Sequence, residues 1–87
     1  MQRKEVVILK AEHRDRYMKL GLRIAYFRKM RGLTQEQFAE KLGKSLGYIG
    51  AVEATNVERA ISLDMLFDIA DLLGVQPQKF LQFDDEN

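Results

Sequence analysis

The sequence predicts an all-α domain of five helices, and three observations support that fold class. Apolar residues recur at spacings of three and four along most of the 87 residues, which is the period of an amphipathic helix. Residues that favour helix N-caps precede three of these runs, namely Thr34, Ser45 and Ser62. Residues that favour helix ends follow the runs, namely Gly32, Gly43 and Gly74. Together these signals predict short helices joined by short turns.

The first two helices have the clearest pattern. The first starts at Tyr17 and ends before Gly32, and its inner face holds Tyr17, Leu20, Ile24 and Phe27. The second follows Thr34, which forms a capping box with Gln37 three residues later. Its buried residues are Phe38, Ala39 and Leu42, and Gly43 ends it.

The third and fourth helices each follow a serine cap. Ser45 opens a helix that buries Ile49 and Val52, and residues 54–61 then read as a loop. Ser62 opens a longer helix whose inner face holds Leu63, Leu66, Ala70 and Leu73. Its outer face holds Asp64, Asp68 and Asp71.

The fifth predicted helix is short, and the ends of the chain are separate from the domain. Pro77 suits a first helical position, and the segment holds Phe80 and Leu81. We expect one domain over residues 17–83, an acidic tail over 84–87, and an N-terminal arm or helix extension over 1–16. The run "EVVIL" near the N-terminus fits a strand, an arm or the first turns of a helix, and the pattern leaves these open.

Composition and charge limit the classes of function. Cysteine is absent, which excludes disulfides and thiolate metal sites. The longest early apolar run has only four residues, so we expect a cytoplasmic protein without a membrane span. Residues 1–44 hold twelve Lys and Arg against five Asp and Glu, whereas residues 45–87 hold two against eight. This separation predicts an anionic partner for the first half or, equally, a dipolar surface without one.

Catalysis has little support in the sequence. His13 is the only histidine, and the serines at the helix starts are explained as caps. The aspartates of the fourth helix could hold a metal ion, but a solvated acidic face is the simpler interpretation. We therefore expect a protein that is not an enzyme, with no metal, no cofactor and no small-molecule ligand.

The second and third helices fit a helix-turn-helix. This motif needs a small residue where the helices cross and a positive φ at the turn, which Ala39 and Gly43 supply. The stretch "GLRIAYFRKMRGLTQEQFAEKLGKSLGYIGAVE" resembles the lambda-repressor/Cro-like, or XRE, family of DNA-binding domains, and "SLDMLFDIADLLGV" resembles its fourth helix. The resemblance covers residues 18–82. It implies a five-helix domain that binds double-stranded DNA, with no cofactor, as a homodimer on a palindromic operator, to regulate and most simply to repress transcription.

The resemblance also implies a set of DNA-binding residues. The third helix would lie in the major groove, and the residues at or near the bases would be Ser45, Leu46, Gly47, Tyr48, Gly50 and Ala51. Gln35, Lys44 and either Arg23 or Lys19 would contact the phosphate backbone. The loop after the third helix is longer than is usual in the family, and Asn56 in it could reach DNA or a partner subunit. The family pairing of a late first-helix arginine with a third-helix glutamate predicts a structural salt bridge between Arg28 and Glu53.

Two interpretations stay open. The glycines of "SLGYIGAVE" either let the helix backbone approach DNA or allow tight packing on another helix or subunit. The whole domain could instead be a non-catalytic interaction or dimerisation module, such as an antitoxin-like partner, with Phe80, Leu81 and Phe83 as apolar anchors.

Overall fold

The computed structural model describes residues 9–54 and 60–83 of the chain, and within these ranges it contains four α-helices and no strand. The helices are α1 (Arg14–Met30), α2 (Gln35–Leu42), α3 (Leu46–Glu53) and α4 (Leu63–Leu73). Short 3₁₀ segments, Ala11–His13 and Pro77–Leu81, lie before α1 and after α4. The all-α prediction is confirmed. None of the helices in this part of the chain is long and apolar enough to cross a membrane.

The helix boundaries follow from the caps. The Thr34 hydroxyl accepts a hydrogen bond from the Gln37 backbone N–H at 3.1 Å, and Gln37 Oε1 accepts one from the Thr34 N–H at 2.9 Å. Ser45 and Ser62 each accept from the N–H three residues on. These bonds satisfy donors that have no partner within the helix.

The prediction of a fifth α-helix is wrong, because Pro77–Leu81 forms a 3₁₀ helix. The segment has five residues, and no side chain caps its first turn. A stretch this short gains too few α-helical hydrogen bonds to offset the cost of nucleation. Its position is fixed instead by Phe80, which is fully buried and meets the Phe27 ring edge to face at 5.1 Å. In the alternative interpretation as an interaction module, Phe80 is therefore not available as an apolar anchor.

The core lies where the four helices and the C-terminal 3₁₀ segment meet. Its fully buried side chains are Ile24, Phe38, Ile49, Ile69, Leu73 and Phe80. Leu9 and Ala60 form a smaller buried cluster against Tyr17 and Met18. α1 begins at Arg14, three residues before the first periodic position, so residues 14–16 extend the first helix.

Several expectations concern segments outside the described residues. These are the first four residues of "EVVIL", Asn56 in the loop after α3, and the acidic tail.

Candidate nucleic-acid interface

The turn between α2 and α3 sets the direction of α3. Gly43 has a φ of 70°, a left-handed value that glycine adopts without steric cost. The next N–H, that of Lys44, donates to the Ala39 carbonyl at 2.9 Å, and Ser45 then caps α3. The chain thus leaves one helix and enters the next within three residues, as a helix-turn-helix requires.

The inner side of α3 is anchored in the core. Ile49 is fully buried, and Tyr48 and Val52 are half-buried against the same cluster. Ala39, the predicted small residue at the crossing of α2 and α3, is also buried. The packing therefore fixes which side of α3 faces outward.

A buried ion pair holds the last turn of α3. Arg28 Nε donates to Glu53 Oε2 at 2.7 Å, and Arg28 Nη2 donates to Glu53 Oε1 at 3.0 Å. The two side chains are only 7% and 5% exposed. Arg28 Nη1 also donates to the Leu33 carbonyl at 2.6 Å. This fork-shaped pairing joins α1, the α1–α2 turn and α3, in the arrangement that suits an arginine and a carboxylate.

Gln35 joins the same network. Its Nε2 donates to Glu53 Oε1 at 2.9 Å, so the side chain predicted to contact a phosphate links the start of α2 to the end of α3. Gln35 is also the first residue of α2. Its backbone N–H therefore lies at a helix N-terminus, where an anion is favoured.

Gly21 provides a second contact that anchors α3, and the sequence pattern did not predict it. Gly21 in α1 is buried, and a Cβ placed on it would overlap the Val52 carbonyl oxygen and lie 3.5 Å from the Glu53 Cα. Only glycine therefore lets α1 approach the backbone of α3 this closely. The available signal was a glycine in the middle of an otherwise regular amphipathic helix, far from any turn.

The outer side of α3 is exposed and low in relief. Ser45, Leu46, Gly47 and Ala51 are exposed, and Gly50 is half-buried. A Cβ on Gly50 would have no neighbour within 4 Å, and one on Gly47 would meet only the Ser45 Oγ at 3.9 Å. Within the described residues, packing on another helix therefore does not explain these two glycines.

Lys44 lies at the edge of this surface. Its side chain is exposed, and its Nζ is 5.5 Å from the centre of the Tyr48 ring. A cation over an aromatic face is attracted by the ring. The pair places a positive charge and a phenol side by side at the start of α3, where a phosphate could meet both.

Arg23 lies elsewhere, against the C-terminal 3₁₀ segment. Its Nη2 donates to the Lys79 carbonyl at 3.3 Å, and its guanidinium carbon is 5.2 Å from the centre of the Phe27 ring. The structure thus gives this predicted phosphate contact an intramolecular role. Asn56 lies outside the described residues, and the part of the chain that is described has no group of three or more residues suited to hold a metal ion.

Comparison with protein families agrees with this geometry. The model of the helix-turn-helix family matches residues 24–80, which include α2, α3 and α4. The chain belongs to this family. Within this family, the chain is of the XRE, lambda-repressor-like type, as the motifs predicted.

Individual members of the helix-turn-helix family show the same likeness. An uncharacterized HTH-type transcriptional regulator, YazB of Bacillus subtilis (strain 168), is 44% identical over 55 residues, covering 63% of this chain and 77% of YazB. The restriction-modification controller protein C.AhdI from Aeromonas hydrophila has a TM-score of 0.66 at 31% identity, covering 74% of this chain and 94% of that one. SinR of Bacillus subtilis, a master regulator for biofilm formation solved in complex with DNA, has a TM-score of 0.65 at 28% identity, covering 72% of this chain and 98% of the SinR chain.

Proposed function

We propose that this helix-turn-helix protein binds double-stranded DNA in a sequence-specific manner through α3. It acts as a homodimer on a palindromic operator and regulates transcription, most simply as a repressor. The family supports the general role, since its relatives include transcriptional regulators and SinR is solved with DNA. In this class of motif the second helix enters the major groove and its N-terminal residues meet the base edges.

The proposal rests on the exposed outer face of α3. Each glycine inside a helix costs about 0.5–1 kcal/mol relative to alanine. Gly47 and Gly50 bear this cost without supporting any packing in the described chain. A surface built from backbone and small side chains can approach base edges closely, which gives the two glycines a purpose.

The proposed mode of recognition follows from the residues on this face. α3 has no lysine, arginine or glutamine, the side chains that most often read bases through paired hydrogen bonds. Leu46, which is exposed, can contact a thymine methyl group, and Ser45 and Tyr48 offer hydroxyl groups to phosphates or bases. The rest of the specificity comes from the shape and deformability of the DNA.

Phosphate contacts position α3 in the groove. The backbone N–H of Gln35 and the amine of Lys44 are the described groups best placed for them, because they lie at the N-terminal ends of α2 and α3. Asn56 and Arg23 remain proposed contacts, the first from the loop after α3 and the second by leaving its present partners.

Enrichment of a random double-stranded DNA pool by the purified protein, at about 0.15 M salt, tests the proposal. We expect a palindrome whose half-sites lie about one turn, roughly 34 Å, apart. Ala51→Glu places a carboxylate on the exposed face of α3 and should abolish enrichment with the fold intact. Ala11→Glu makes the same change at an exposed alanine outside α3 and should leave enrichment unchanged.

The absence of enrichment by the folded wild-type protein would favour the second function, a protein-interaction or dimerisation module. Exposed apolar side chains support that alternative. Leu81 after α4 is 52% exposed, and Phe83 is half-buried beside it. A module of this kind would bind its partner without the steep salt dependence that phosphate contacts impose.

A further inference from the structure

α1 carries an apolar stripe on the side opposite the core. Leu22, Tyr26 and Met30 are 49%, 52% and 62% exposed. They are four residues apart, so they line one face of the helix. Lys29, which is also exposed, lies on the same face, seven residues after Leu22. A helix that buries one face would ordinarily keep the opposite face polar.

α4 has an outer face of the opposite charge. Phe67 is 45% exposed, and Asp64, Asp68 and Asp71 around it are exposed as well. Their spacings of three and four residues place them on one face with Phe67 among them. This face therefore offers an aromatic ring surrounded by carboxylates.

We propose that the α1 stripe of one copy of the chain packs against the outer face of α4 of a second copy. Both faces combine exposed apolar groups with charge. The α4 face carries aspartates, whereas the α1 face has a net positive charge, because Asp15 on it pairs with Lys19 and Lys29 adds a further cation. The sequence as a whole has the same polarity, with twelve cations against five anions in residues 1–44 and two against eight in residues 45–87. The second copy is the favoured occupant because the complementary face is part of the chain itself, and complementary charge steers association and sets its register.

The contact joins two different surfaces, so it differs from a two-fold contact between identical patches. One copy uses α1 and its partner uses α4, which leaves one face of each kind available to a further copy. Neither face includes α3. The association therefore goes beyond the proposed DNA binding, because it can link neighbouring copies while α3 remains accessible.

Charge exchange between the two faces tests this contact. The first variant, Lys29→Glu with Met30→Glu, makes the α1 face acidic and leaves α4 unchanged. The second, Asp68→Lys with Asp71→Lys, makes the α4 face basic and leaves α1 unchanged. Each variant alone presents two faces of like charge, and its self-association, measured by sedimentation, should weaken by about tenfold or more.

An equimolar mixture of the two variants gives the decisive measurement. In the mixture every acidic face can meet a basic one. We therefore expect species larger than those of either variant alone, whatever the oligomeric state of each variant by itself. A mixture no larger than its components overturns the proposal, as does a wild-type chain whose mass stays constant with concentration at low salt. That second outcome would leave the α1 stripe to a partner other than a second copy.

Two controls keep the result separate from folding and from DNA binding. Lys41→Glu reverses an exposed charge on α2, outside both faces, and should leave self-association as in the wild type. Each change is at an exposed position, so we expect every variant to fold, and melting curves check this. DNA enrichment by each variant reports the proposed function by itself, because α3 is unchanged.

Discussion

Gly21 and Gly50 are both inside helices, yet the structure gives them opposite surroundings. The backbone of α3 leaves no room for a side chain on Gly21, whereas a Cβ on Gly50 would point into open space. Gly21 is therefore required by the fold, and Gly50 is tolerated by it at a loss of helix stability.

Alanine substitution should separate these two roles. Gly21→Ala should lower the free energy of unfolding by about 1–3 kcal/mol, because overpacking forces the backbones of α1 and α3 apart. Gly50→Ala should raise it by about 0.5–1 kcal/mol. Gly50→Ala should also weaken DNA binding by about tenfold, equivalent to about 1.4 kcal/mol. Urea unfolding and a DNA titration measure the two effects, and tighter DNA binding by the more stable Gly50→Ala variant would contradict the proposed approach to DNA.

The Arg28–Glu53 pair should be the most sensitive polar contact in the domain. Glu53→Ala leaves the Arg28 guanidinium buried with only the Leu33 carbonyl among its present acceptors. Removing one member of a buried pair costs about 3–5 kcal/mol, and each kcal/mol corresponds to about 4–8 °C in a domain of this size.

Asp15→Ala is the matched control for Glu53→Ala in a thermal melt. It removes the partner of Lys19 from a pair at 3.4 Å whose carboxylate is 69% exposed, and it should cost less than about 1 kcal/mol. Equal losses of melting temperature for the two variants would show that burial does not distinguish these ion pairs.

Sequence patterns located the side-chain partners in the site better than the backbone partners. Arg28 and Glu53 are present as a pair where the family pattern placed them, because two charged side chains leave a signal in the sequence. The group that lies against Gly21 is the backbone carbonyl of Val52. Every residue has such a carbonyl, so the sequence gives no signal for this contact. The polar acceptor of Arg23, the Lys79 carbonyl, is likewise backbone. Contacts of this kind depend on how the helices cross, which short-range patterns do not specify.

Among the secondary-structure elements, the caps predicted where α2, α3 and α4 start. The position of the other segments depended on packing. Thr34, Ser45 and Ser62 open α2, α3 and α4 as expected, because each cap acts within three residues. The C-terminal segment departed from the prediction because its five residues are too few to nucleate an α-helix, and its position depends on how Phe80 fits the core. The predicted start of α1, at Tyr17, is three residues late, because the first turn lacks the apolar periodicity of the later turns.

The C-terminal end of α4 depends on a side chain from α1. Arg31 Nε donates to the Leu73 carbonyl at 2.6 Å, and its Nη2 donates to the Gly74 carbonyl at 3.2 Å. The positive charge of Arg31 at this C-terminal end also interacts favourably with the helix dipole. Arg31→Ala should therefore lower the free energy of unfolding by roughly 1 kcal/mol, a value reduced because Arg31 is exposed. Hydrogen exchange should show faster opening of the last turn of α4.

Lys41→Ala serves as the control for Arg31→Ala. Lys41 is an exposed cation on α2, outside both proposed faces, and its removal should leave exchange in the last turn of α4 unchanged. Identical exchange in the two variants would show that the Arg31 hydrogen bonds do not support this helix end.

At the scale of the whole molecule, the separation of charge gives one chain two kinds of surface. The basic first half includes α1, which carries six Lys and Arg against one Asp, and Lys44 in the turn into α3, and this charge suits a polyanion. The acidic second half includes α4 and would be repelled by the same polyanion. In the proposed complex, this polarity should turn the acidic outer face of α4 away from the DNA.

The affinity for DNA should accordingly fall steeply with salt, since each phosphate contact releases condensed counterions. One contact changes the slope of log affinity against log salt by about 0.9. Lys44→Gln should therefore reduce that slope by about 0.9 per protomer, because Lys44 is exposed at the start of α3. Lys79→Gln removes a cation from the C-terminal 3₁₀ segment and should leave the slope unchanged. If both variants, titrated with the selected operator over a range of salt, keep the wild-type slope, then Lys44 does not bind a phosphate and the Lys44–Tyr48 pair only stabilises the start of α3.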